Sequence, residues 1–259
     1  MRHTADDFVD PYTYPGSAVL RNLLDEQNAS RLEAAEYELT LYRRIELDEK
    51  PIKGAFDFAR LRETHRRLFQ DIYAWAGKTR TVEINKGGSD FHPSPYIGTA
   101  ADQTFEWLET SGLLSPEVDD ESFVRLSADL LEKLNYIHPF REGNGRTQRA
   151  FMDQIAELSG RRLAWRNVSP EDHLRASVNA FRDASGDPFR SVIRQVMGPP
   201  IDGLSPLDPQ VYDVSAPLVS SLNAEDAEER QRAFYARFPE LRPDGSVGDK
   251  HPEEDLELD

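Results

Sequence analysis

Twelve consecutive residues, His138-Pro-Phe-Arg-Glu-Gly-Asn-Gly-Arg-Thr-Gln-Arg149, bring together an imidazole, a carboxylate, two glycines around an asparagine, and three guanidiniums. Before them Phe123, Val124, Leu126, Leu130, Leu131, Leu134 and Ile137 recur at helical spacing, and Phe151, Ile155 and Leu158 repeat that period afterwards. The stretch is thus predicted to turn between two helices, the first stopped by Pro139 and the second running from Asn144 or Gly145 to Gly160. A helix start offers unpaired N–H groups and the positive end of the dipole, and Gly143 and Gly145 open its backbone to a bulky phosphate. Arg146 and Arg149, three apart, add two permanent cations on one face. Cations there oppose the helix dipole, so their placement serves a strongly negative ligand better than it serves the helix.

Glu142, alone among these cations, suits Mg²⁺, which takes one or two protein carboxylates and completes its shell with phosphate oxygens and water. His138, with an ordinary pKa of about 6.5, suits removal of a proton from an attacking hydroxyl. The chemistry described is transfer of part of a Mg-nucleotide to an alcohol. A plainer alternative makes Glu142 and Arg146 a surface pair, His138 a cap and the glycines turn formers. It accounts for each residue singly and leaves their grouping unexplained.

These residues resemble the signature of the Fic family, His-x-Phe-x-(Asp/Glu)-Gly-Asn-Gly-Arg-x-x-Arg, at every specified position. The resemblance implies a mainly α fold, a Fic-type helical bundle with a short β-hairpin flap over the active site. It implies transfer of AMP from ATP to a Ser, Thr or Tyr hydroxyl on a protein, with release of pyrophosphate. His138 would be the general base and Phe140 the anchor of the loop in the core. Glu142 would hold Mg²⁺, Gly143, Asn144 and Gly145 would cradle the α- and β-phosphates, and Arg146 and Arg149 would grip the β- and γ-phosphates. Doc-like relatives with Lys in place of Gly145 are kinases, so Gly145 points to nucleotidyl transfer. A hairpin is read over residues 79–93, where Thr81 to Ile84 alternates and Asn85-Lys-Gly-Gly88 supplies a turn. In the family such a flap pairs with an extended target segment, which assigns docking to Val82, Glu83, Ile84, Asn85, Lys86, Gly87 and Gly88.

Other elements follow from periodicity. Leu32, Ala35, Leu39 and Tyr42 make one stripe of a helix from about Ser30, its expected N-cap, to Leu47. Phe58, Leu61, His65, Leu68, Phe69 and Ile72 make the next face, with His65 and Trp75 read as core residues. A helix over 96–114, a capped start at Ser169-Pro170 and a last helix after Asp187-Pro188 complete seven or eight helices. Tyr12 and Tyr14 in the turn-rich start are expected to pack, while His92 and His173 receive no chemistry.

Residues 1–198 are read as the catalytic domain and 199–259 as an acidic extension with a linker, one helix over 224–238 and a disordered end. That extension, with five Lys/Arg against fifteen Asp/Glu from residue 201 on, carries ten of the sixteen net negative charges. An acidic chain disfavours direct nucleic-acid or anionic-membrane binding. No cysteine excludes disulfides and thiolate zinc sites, and no signal-like or membrane-spanning run occurs, which gives a cytoplasmic expectation with signal-free export left open.

Family members are often restrained by a helix bearing (Ser/Thr)-x-x-x-Glu-(Gly/Asn), whose glutamate pairs with the last motif arginine. Ser17 to Asn22 has Arg21 at the decisive position, and Ser221 to Asp226 ends in Asp. A separate antitoxin-like inhibitor is therefore expected, and the resemblance implies targets such as a type II topoisomerase ATPase subunit or a GTPase. The alternatives are a Fic-fold transferase of UMP, phosphocholine or phosphate, and a noncatalytic interaction module.

Overall fold

Among the described residues seven α-helices follow one another: α1 Ala29–Glu49, α2 Phe58–Phe69, α3 Ile97–Thr110, α4 Asp120–Ile137, α5 Asn144–Leu158, α6 Pro170–Asp183 and α7 Asp187–Val196. They come from a computed structural model that describes residues 10–86 and 89–197. The expected linker, the helix over 224–238, the segment Ser221 to Asp226, the acidic end, and Gly87 and Gly88 lie outside the described residues.

Helix α4 forms the centre. Its start is fixed by Asp119, whose carboxylate accepts the Ser122 N–H at 2.9 Å, and Asp120 and Glu121 in the first turn complement the dipole. Phe123, Leu130, Leu131, Leu134 and Ile137 are then fully buried as α3, α5, α6 and α7 pack around it. A second apolar cluster gathers Tyr12, Tyr14, Leu39, Phe69, Ile72, Tyr73 and Trp75, so the turn-rich start and α1 are seated on α2. Tyr12 lies edge-on to Trp75 at 5.4 Å, which confirms packing as its role. Helix α2 joins the clusters, since Leu61 belongs to one and Leu68 and Phe69 to the other.

Three sequence expectations shift. The cap of α1 is Asn28, whose side chain accepts from Arg31 N–H at 3.1 Å, and Ser30 falls inside the first turn. Along α1 the buried positions are Leu32, Leu39, Thr40 and Leu47, while Tyr42 is exposed, because this helix meets the bundle chiefly through α2. The hairpin pairs Asn85–Lys86 (β1) with Ser89–Asp90 (β2), four residues beyond the expected start at Thr81. The Val82 carbonyl is taken instead by the Arg80 guanidinium at 2.7 Å, which ties that segment to the loop after α4.

Helix α5 contributes Phe151, fully buried between Phe56 and Phe105 at 5.7 and 5.9 Å. Phe151→Ala is expected to lower stability by about 3–5 kcal/mol, a large-to-small loss in a close-packed core. Urea titration followed by circular dichroism measures it; a loss under about 1 kcal/mol would mean the cluster collapses around the gap.

Candidate active site

Pro139 disfavours right-handed helix for the residue before it, so α4 ends at His138 in the left-handed region, φ 44° and ψ 62°. A non-glycine residue held there is strained, and the strain is sustained by its surroundings. The His138 N–H still reaches Leu134 O at 3.0 Å. Its ring stacks on Phe91 at 3.8 Å, and Nδ1 lies 3.3 Å from the Asn135 carbonyl. A carbonyl only accepts, so Nδ1 carries the proton and Nε2 is the basic nitrogen.

Between His138 and α5 the loop is stapled from within. Phe140 is buried, and Asn144 takes both of its backbone groups: Oδ1 accepts from Phe140 N–H at 2.9 Å and Nδ2 donates to Phe140 O at 2.7 Å. With its side chain so engaged, Asn144 offers an anion its backbone alone. Gly143 has φ 80°, and a Cβ there would lie 2.2 Å from Phe69 Cζ. Glycine is thus required by core packing as well as by the turn. Gly145 is different, since a Cβ would meet only Arg149 Nη1 at 3.5 Å.

Beneath the loop His65 acts as a strut. It is fully buried, accepts the Gly77 N–H on Nδ1 at 2.7 Å, and presents Nε2 to the Glu142 carbonyl at 3.0 Å. Its ring stacks on Phe140 at 3.9 Å, and burial holds its pKa down at about 3. The ring is therefore neutral, with Nε2–H donating, as a core histidine should be.

The first N–H groups of α5 have no acceptor within the helix, and no acid stands in its first turn. The two motif arginines behave differently. Arg146 pairs with Glu36 of α1 at 2.6 Å, lies 3.5 Å from Glu142 and covers the Phe69 ring. Burial raises the Glu36 carboxyl, and Arg146 pulls it back down. Arg149 lies half-buried with neither a hydrogen bond nor an ion pair among the described residues. Burial, and then the neighbouring Arg146, press its pKa downward.

A cavity of about 390 Å³ collects these groups. The loop and α5 contribute His138, Arg141, Glu142, Asn144, Gly145, Gln148 and Arg149; the hairpin contributes Ile84, Asn85 and Phe91; α6 contributes His173, Leu174, Val178 and Phe181. Gly143, Arg146, Val82 and Glu83 do not line it. Gly87, Gly88 and the Lys86 side chain are outside the described structure. No group of three His, Cys, Asp or Glu able to enclose a metal occurs among the described residues. Glu142 is a half-exposed single carboxylate, and a cation held there must draw its other ligands from phosphate and water, which fits Mg²⁺ and not a structural zinc.

Three residues near the site carried no sequence signal. Glu36 and Asp10, the latter paired with the cavity residue Arg141 at 2.6 Å, are distant in sequence from their partners. Arg80 is buried beneath the hairpin, and only the rarity of a fully buried arginine, visible once the fold is known, marks it.

Residues 55–156 match the Fic/DOC family. Protein adenylyltransferase VbhT of Bartonella schoenbuchensis is 37% identical over 186 residues, 72% of this chain and 38% of that protein, so the match spans well under half of that relative's length. The "Probable protein adenylyltransferase y4lH" of Sinorhizobium fredii is 35% identical over 190 residues, 73% of this chain and 96% of that protein. Among solved structures, the N-terminal Fic domain of a VirB-translocated Bep effector protein from Bartonella quintana, with bound ADP, superposes with a TM-score of 0.66 at 25% identity, covering 73% of this chain and 95% of that one.

The His65 strut makes stability pH-dependent. From pH 6.5 down to about 3 the unfolded chain takes up a proton that folded His65 refuses, so stability is intact above pH 6.5 and lost as pH falls. His65→Gln, which keeps a donor and an acceptor, is expected to flatten the difference by about 1.4 kcal/mol per pH unit between pH 6 and 4. Denaturant midpoints across that range test it, and parallel profiles for both proteins would refute the neutral-strut assignment.

Proposed function

Because the chain belongs to the Fic/DOC family, we propose that it transfers AMP from Mg-ATP to a Ser, Thr or Tyr hydroxyl of a target protein, releasing pyrophosphate. One observation carries this reading: Arg149 faces the cavity of His138 without an acceptor of its own among the described residues. A desolvated cation beside bare N–H groups is stabilised by a polyanion.

In the reaction the hydroxyl gives its proton to His138 Nε2 as its oxygen bonds to the α-phosphorus. The bond from that phosphorus to the β-bridging oxygen breaks, and pyrophosphate leaves. Backbone N–H groups at Asn144 and Gly145 and the Arg149 guanidinium hold the phosphates, with preorganised charge and positioning supplying most of the rate. Bound Mg²⁺ neutralises phosphate charge, and Glu142 is the side chain that would hold it. On α6, Leu174 and Val178 are 52% and 49% exposed beside the cavity, an apolar wall for the nucleoside. The β1 edge accepts an extended target segment through main-chain bonds. Gly145 in place of a lysine favours nucleotidyl over phosphoryl transfer.

The same arginine supports control by a separate antitoxin-like protein. The Glu36 carboxylate of α1 is spent on Arg146, which leaves Arg149 for a phosphate or for a partner's carboxylate. A solved relative is a VirB-translocated effector, which makes export a candidate for this chain, and the family resemblance makes a topoisomerase ATPase subunit or a GTPase a candidate target.

Incubation of the full chain with Mg²⁺ and a bacterial lysate should transfer label to protein from ATP labelled at the α-phosphate and not at the γ-phosphate. His138→Ala should lower that rate by about 10²–10⁴-fold. Label arriving from the γ-phosphate, or an undiminished His138→Ala, would overturn the proposal. Competition by UTP or CDP-choline stronger than by ATP would reassign the donor. Expressed without a partner the full chain should be active; a silent chain that Glu225→Gly awakens would move the restraint to its own tail.

A further inference from the structure

Arg80 is buried with its side chain wholly enclosed, and it spends its donors on the two roots of the hairpin and on the loop that carries the imidazole. Nε donates to the His138 carbonyl at 2.8 Å, and Nη2 to the Ile137 carbonyl at 3.4 Å. From the same fork Nη1 donates to Val82 O at 2.7 Å, before β1, and Nη2 to His92 O, after β2. The Arg80 backbone N–H also bonds to Pro139 O at 2.8 Å. Glu83 extends the clamp outward: one carboxylate oxygen lies 3.5 Å from Nη1, and the other accepts the Ser94 N–H and hydroxyl at 2.9 and 2.8 Å.

Four main-chain carbonyls from three segments thus converge on one planar cation. Buried carbonyls need donors, and a guanidinium alone supplies five in a fixed fork. A lysine at this place has three donors on a single atom and cannot span both roots of the hairpin. His138 is the strained residue whose carbonyl the fork holds, and Phe91 on the hairpin stacks on the His138 ring. The height of the β1 edge over the basic nitrogen is therefore set through Arg80. The phosphate-binding groups are set otherwise, by α5, Asn144 and His65.

We propose that Arg80 is a positioning residue for the acceptor protein, holding the docking edge of the hairpin in register with His138 while leaving nucleotide binding to the α5 side of the cavity. This inference rests on the AMP-transfer reading above. It predicts a split between the two substrates. Arg80→Lys should keep its affinity for Mg-ATP within about threefold of wild type, by titration calorimetry. Its labelling of lysate proteins from ATP labelled at the α-phosphate should fall at least about tenfold.

Because a buried arginine can also be needed for folding, Glu83→Ala supplies a second route from an exposed side chain. It loosens the same hairpin root at Ser94 and should reproduce the split in milder form, with an unchanged melting temperature. The inference is overturned if Arg80→Lys labels at the wild-type rate. It is equally overturned if ATP affinity and labelling fall in the same proportion in the variants that fold, or if Arg80→Lys unfolds while Glu83→Ala labels normally. Absence of labelling by the wild-type chain itself would instead count against AMP transfer, which keeps the two failures distinguishable.

Discussion

Two guanidiniums at the positive end of one helix, with no acid in its first turn, are the constraint around which this protein is arranged. Left alone they would repel each other and the dipole. The fold answers only half of that imbalance. Glu36 reaches from α1 to Arg146, and the Phe69 ring lies under the same guanidinium, whereas Arg149 stands at the cavity without an ion pair among the described residues. A protein optimised for stability alone would neutralise both. On the AMP-transfer reading, the deficit is where the substrate's negative charge would sit, and filling the site would relieve it.

Keeping such a loop in shape requires rigidity from below. Phe140, His65, Phe69 and Gly143 form one packed stack in which each member leaves no room for change in the next: a methyl group at 143 would strike Phe69, and His65 lies flat on Phe140. Asn144 closes the loop by hydrogen bonds to a single residue's backbone, which frees the helix start from serving as its own cap. Residues distant in the chain thereby fix the geometry of six consecutive ones. Neutral His65 matters here because a charged ring would bring a third cation under the two arginines.

Much of this was legible before the fold. His138, Glu142, Gly145 and Arg149 line one cavity because a helix end, a proline and a helix start leave a turn few choices. His65 is legible as core by its place on an apolar stripe, and Trp75 and Tyr12, which lie on none, pack as their type suggests. What stayed hidden depends on partners that no local pattern encodes. Glu36 lies 110 residues from Arg146, and nothing in the α1 stripe distinguishes it from the other acids around it. The paired part of the hairpin is shorter than the alternation suggests for a related reason, since Thr81 to Ile84 alternates like a strand while a buried guanidinium, invisible to periodicity, claims the Val82 carbonyl. The phosphate role that the resemblance implies for Asn144 can use only its backbone, because its side chain is engaged by the backbone of Phe140.

The two glycines of the turn differ in how far they can diverge. Position 143 is locked by its positive φ and by the ring against it, whereas position 145 has ordinary backbone angles and faces only the movable tip of Arg149. A Cβ at 145 would meet neither the core nor any backbone outside its own helix. The turn can therefore vary at one of its two glycines and not at the other, and a change at 145 would reach the guanidinium at the cavity before anything else.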